Sequence, residues 1–220
     1  MGDWTRRRVI ATAAVSATGA VLWSAAAEAG PPTPGRAPKV TQNGWPVLTT
    51  STVTTQLIEG SAAQVTLLTG DVSTVLLHVA RRFSYEIDTL RAGEVTGFAV
   101  VASPAAAFES NYSSGTAVAI RADRYPAGAA GNLFPRELLV VRDILAECAG
   151  VVRWGGDDPT TPKESHFQID VKPGDAALPK LARTIRGWRT HPGAGAGAPR
   201  DLLDPTRRAA AKDLERRQKR

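Results

Sequence analysis

Ser110-Asn-Tyr-Ser-Ser-Gly-Thr-Ala-Val-Ala119 and, farther along, Gly150-Val-Val-Arg-Trp-Gly-Gly-Asp157 with Glu164-Ser-His-Phe-Gln-Ile-Asp170 are the stretches that decide this chain. Thr116 to Ala122 reads as a strand entered from the loop Asn111 to Gly115, which leaves Tyr112 on that loop. Val151 to Trp154 and His166 to Val171 read as two more strands, joined by a loop rich in Gly, Asp and Pro. Between the two stretches the spacing predicts a helix, with Pro135 suited to its first position and Gly150 to its end. Leu138, Val141, Leu145 and Cys148 form its apolar stripe, and Arg136, Glu137, Arg142, Asp143 and Glu147 fall largely outside that stripe.

Upstream, Val72, Val75, Leu76, Val79 and Phe83 recur at spacings of three and four after Gly70-Asp71, which predicts an amphipathic helix. His78 lies beside that stripe and reads as a histidine with a satisfied nitrogen. The Thr- and Val-rich segment ending at Leu68 has strand propensity, interrupted at Glu59-Gly60. Tyr85 to Leu90 and Glu94 to Ala102 read as short strands around the turn Arg91-Ala-Gly93. A last helix of the body is expected from about Asp175 to Trp188.

Residues 1–29 have the order of an export signal: three consecutive arginines after Thr5, a mildly apolar run, and the small-residue site Ala27-Glu-Ala29. The arginines resemble the twin-arginine type, so the body is expected outside the cytoplasm, secreted or associated with the cell wall. Residues 30–39 read as a Pro/Gly linker, 40–190 as the folded domain, and 191–220 as a flexible linker with a charged tail, His191 being incidental.

The net charge of +6 is unevenly placed. The last twenty residues carry seven basic against four acidic side chains, while the body from Gly30 to Arg200 carries seventeen against fifteen. A folded basic groove with interleaved aromatics is therefore absent from the pattern, and nucleic acid is not an expected partner. The tail reads as solvated, with attachment to an anionic wall polymer or membrane surface as the functional alternative. The single cysteine, Cys148, excludes an intramolecular disulfide and reads as a small buried hydrophobe.

The opening stretches together resemble the zinc D,D- and L,D-peptidases that cut bacterial cell-wall peptides, the D-alanyl-D-alanine carboxypeptidase (VanY-like) family. The family motif reads Ser-x-His-x-x-Gly-x-Ala-x-Asp, with a second His on a later strand. Ser110, Gly115, Ala117 and His166 match it, whereas Tyr112 and Ala119 stand where two of the three zinc ligands belong. The resemblance covers roughly Gln42 to Trp188. It implies an α+β fold of hedgehog/D,D-peptidase type, a small antiparallel sheet flanked by helices. It also implies zinc as cofactor with His166 as ligand, Ser110 and Trp154 at the substrate site, and peptidoglycan stem peptides as partners.

In that family a carboxylate accepts the proton of the metal-bound water, usually three residues before the last His. Lys163 occupies that position here and Glu164 the next one. Offsets of two share a strand face, so Glu164 is a catalytic base if the strand extends back to it and a solvated strand-edge carboxylate otherwise. A methyl group at Ala119 cannot ligate, and Tyr112 ligates only as a phenolate. The expectation is an exported homologue of these hydrolases with impaired or lost catalysis; the alternative is a non-catalytic wall-binding or regulatory protein.

Overall fold

The computed structural model describes residues 40–48, 52–191 and 193–219, and within them the chain is an α+β protein. The expected export signal with its Ala27-Glu-Ala29 site and the Pro/Gly linker up to Lys39 lie outside the described residues. Among the described residues, no helix is long and apolar enough to cross a membrane.

A hairpin comes first, β1 (Val53–Leu57) against β2 (Gln64–Leu68), turning at the Glu59-Gly60 interruption. Helix α1 (Asp71–Glu86) follows, and its stripe Val72, Val75, Leu76, Val79 and Phe83 is buried, as the spacing predicts. The short strand β3 (Val95–Thr96), β4 (Ala117–Ile120), β5 (Val152–Trp154) and β6 (His166–Ile169) form an antiparallel sheet in the order β3-β4-β6-β5. Helices α2 (Pro135–Glu147) and α3 (Ala177–Arg189) complete the body. Pro135 starts α2, and the Glu137 carboxylate accepts the Phe134 backbone N–H at 2.7 Å, which closes the helix entrance.

The period of two divides the sheet. Val118, Ile120, Phe167, Ile169 and Val152 enter the main core with α1, α2 and α3, each contributing on the order of 1.5–3 kcal/mol by burial. Ala117 and Ala119 face the other way, into a small cluster with Tyr112, Ala99 and Val101.

Three local expectations are corrected. The strand expected over Tyr85 to Leu90 does not form: Tyr85 and Glu86 finish α1, whose closing bond runs from the Ile87 N–H to Phe83 O at 2.9 Å, and residues 88–90 are irregular. The strand expected over Glu94 to Ala102 shrinks to Val95–Thr96, where pairing with Ile120 and Ala119 ends. The tail is not free: Pro205–Gln218 forms α4, which lies on α2 and buries Leu214 and Gln218 while most of its other side chains stay exposed. One Leu suffices there because polar contacts do the rest. Arg207 forks onto Asp143 at 2.8 and 2.6 Å, and the Gln218 side-chain amide donates to Val152 O at 2.8 Å. The segment before α4 is likewise packed, with Gly195 buried and Arg200 bonded to Glu147 at 2.8 Å.

Candidate functional site

Tyr112, Ala119 and His166 converge. The register pairs Ala119 directly with His166 across β4 and β6, which sets their Cβ atoms about 5 Å apart on one face. Tyr112 comes from a 3₁₀ segment, Ala107–Ser114, whose end at Gly115 turns the chain into β4. Gly115 has φ +63°, and a Cβ there would stand 2.7 Å from the Leu68 backbone nitrogen, so this motif position requires glycine. Gly155 serves the same cleft, because a Cβ on it would meet His166 Cβ at 2.9 Å.

His166 is buried and both ring nitrogens are engaged. The backbone N–H of Asn43 donates to Asn111 Oδ1 at 3.1 Å, which directs the Asn111 amide nitrogen to Gln168 Oε1 at 2.8 Å and Gln42 Oε1 at 2.9 Å. Gln168 Oε1 is therefore an acceptor, so His166 carries its proton on Nε2 and donates to it at 2.9 Å. Nδ1 is left to accept from the Tyr112 hydroxyl at 2.7 Å. Burial pushes the His166 pKa down to about 4, and the imidazole is neutral at pH 7. Burial, with the Glu109 carboxylate nearby, raises the Tyr112 phenol above its ordinary value.

The positions named from sequence are distributed as follows. The Ser110 hydroxyl accepts from the Gln42 backbone N–H at 2.9 Å and donates to Ala107 O at 2.7 Å, holding the Gln42 loop over the cleft. Trp154 is buried, donates to Glu164 O at 2.7 Å, and lies under the Arg142 guanidinium at 4.9 Å. Glu164 sits in the turn from Lys163 to Ser165, ahead of β6, so strand parity does not reach it. Its carboxylate accepts the Gly131 and Asn132 backbone N–H groups at 2.8 and 2.9 Å, and the Asn132 side chain at 3.0 Å. That geometry anchors a loop. Lys163 pairs with Glu109 at 2.9 Å and stands 5.4 Å from the Tyr112 ring centre.

Sequence reasoning missed Gln42, Asn111 and Gln168. Gln168 was within reach, since it shares the face of His166 by the period of two. Gln42 was not, because it is folded over the site by a contact spanning 126 residues.

A cavity of about 180 Å³ opens beside His166, with Gln42, Phe108, Arg153, Trp154, Asp158 and Gln168 in its wall. Zinc hydrolysis needs three deprotonated or neutral donors around one point and an open position for water. Here one imidazole is saturated at both nitrogens, a phenol is held protonated, and a methyl group replaces the third donor. The residues do not fit zinc. Among the described residues, no three His, Cys, Asp or Glu side chains gather as a metal group. A scan against protein-family models, a search of curated proteins and a search of solved structures each return no match.

Proposed function

We propose that this is an exported relative of the zinc peptidoglycan-peptide hydrolases, of hedgehog/D,D-peptidase fold, that has lost hydrolysis and keeps its cleft for holding a cell-wall stem peptide. The supporting observation is that His166 meets both Tyr112, 54 residues before it, and Ala119 of the same first motif, three positions singled out by the motif alone. An accidental motif match gives no reason for its three ligand positions to meet. The cleft suits a short peptide: the Arg153 guanidinium, engaged by Asp170 at 3.8 Å and by Gln218 O at 2.6 Å, stays partly exposed as a cation for a terminal carboxylate, and Gln42 and Asp158 offer hydrogen bonds. The stem peptide is favoured over turnover because the imidazole that would bind metal is instead fixed in a neutral hydrogen-bond chain.

Calorimetric zinc titration of the protein, paired with muropeptide binding and cleavage assays, tests this reading. Peptide binding without turnover or stoichiometric zinc supports it; tight zinc binding with cleavage overturns it. The double variant Tyr112→His, Ala119→Asp is expected to acquire zinc binding. If it stays folded and binds none, the cleft assignment fails.

A further inference from the structure

On helix α1, Arg81 is 6% exposed, yet its Nε is buried with no hydrogen-bond partner among the described residues. Its one ion pair among the described residues is loose, 3.9 Å to Glu59 Oε2, and that carboxylate is itself 64% exposed. Burial, and next the charge of Arg189, lower the Arg81 pKa, as expected of a cation without adequate compensation. A buried Nε–H left this way is costly, because that donor has been taken from water without a replacement.

Arg81 lines a cavity of about 360 Å³. Arg189 reaches Glu59 at 3.4 Å on the rim, so two guanidinium groups share one carboxylate. His191 also lines the cavity. Its Nδ1 donates to Gly187 O at 2.7 Å, which leaves Nε2 as the nitrogen not committed to the helix end. Trp188 and Tyr85 supply aromatic walls, and Trp188 is fixed by its packing on the His78 ring, 5.4 Å between centres. His78 is committed to Glu147 at 2.7 Å and brings no free charge to the cavity.

We propose that this cavity binds a small oxyanion, a phosphate or carboxylate group, through Arg81 and Arg189, with Trp188 and Tyr85 against the rest of the molecule. The planar fork of Arg81 matches either group in a bidentate fashion. Glu59 is then the internal competitor that the ligand displaces. The site is separate from the His166 cleft and does not rest on the peptide-binding reading.

The test is NMR titration of the full chain in chloride buffer, following the Arg81 Nε–H and Trp188 indole N–H signals, with inorganic phosphate in one arm and acetate in the other. Saturable shifts are expected. Saturation by phosphate alone assigns a phosphate group, saturation by acetate alone a carboxylate, and saturation by neither overturns the proposal. Equal shifts from chloride at matched ionic strength also overturn it. Arg81→Met is expected to weaken binding about ten- to a hundredfold. Should that variant not fold, Glu59→Gln, at an exposed position, decides: tighter binding supports displacement of the internal carboxylate, and unchanged or weaker binding overturns it.

Discussion

Two buried histidines organise this molecule by opposite means. His166 is held by a phenol and three amides, with both of its direct partners uncharged and a carboxylate, Asp170, reached only through Gln168 Nε2 at 3.5 Å. His78 donates to Glu147, and the same carboxylate is reached by Arg82 at 3.1 Å and Arg200 at 2.8 Å. Arg82, fully buried, also binds Glu86 at 2.6 Å and Asp143 at 2.8 Å, and Asp143 in turn receives Arg207 from α4. Although burial alone would lower the Arg82 pKa, Glu86, Glu147 and Asp143 hold it above its ordinary value. Burial likewise would raise Glu147, but the His78 hydrogen bond and the arginine charges bring it to about 2.

The difference shows where the fold concentrates stability and where it keeps a cleft. An ionic centre is strong only while complete, because removing one partner strands the others in a medium that solvates them poorly. A neutral chain loses less when cut.

The largest effect is accordingly expected at the ionic centre. Arg82→Ala leaves Glu86, Asp143 and Glu147 without their shared cation, and urea denaturation should register a loss of about 3–5 kcal/mol. A loss near that of an exposed ion pair would mean the centre is solvated.

Acid separates the two histidine centres next. His166 binds its proton near pH 4 in the folded state against an ordinary 6.5, so the unfolded chain is the better proton binder between those values. Its contribution is complete above pH 6.5 and declines as pH falls to about 4, a change of roughly 3 kcal/mol. His78, lowered chiefly by burial, acts in the same direction. Glu147 has its folded pKa at about 2 against an ordinary 4.5, so its contribution is present above pH 4.5 and lost below it, toward 2. Denaturation midpoints measured from pH 7 to 2 should therefore fall in two steps, and His166→Gln should flatten the upper step. If the upper step survives that substitution undiminished, His166 is not its source.

Cutting the neutral chain comes third. Tyr112→Phe removes the donor to His166 Nδ1 and keeps the ring, and a loss of about 1–2 kcal/mol is expected by chemical denaturation. A loss as large as that of Arg82→Ala would erase the contrast between the centres. The smallest change belongs to Lys163→Met, which breaks a partly solvated pair with Glu109 and should cost less than about 1 kcal/mol. In that variant the Glu109 carboxyl, held below its ordinary pKa by Lys163 against the effect of burial, should titrate at higher pH by NMR.

How much of this was legible in the sequence depends on the range of the interaction. Spacings of three and four gave α1 and α2, alternation gave β4 and β6, and the motif order singled out Tyr112, Ala119 and His166, because each of these signals is local. Asp143 and Glu147 illustrate the limit. They lie outside the apolar stripe of α2 by periodicity, yet they are drawn into the interior because Arg82, Arg200 and Arg207 arrive from distant segments.

Glu164 shows the same limit at the site. Strand parity would aim it at the cleft, but a turn begins one residue earlier and the Gly131–Asn132 backbone takes its carboxylate. The sequence by itself determined the three helices of the body, the central strands and the motif positions Tyr112, Ala119 and His166. Tertiary structure alone decided that the tail docks through Leu214, that Gln42 and Asn111 fix the tautomer of His166, and that Arg81 is buried without an adequate partner. The physical reason is that periodicity reports which face of an element is apolar, whereas the partner of a buried polar group is chosen by chain segments that meet only on folding.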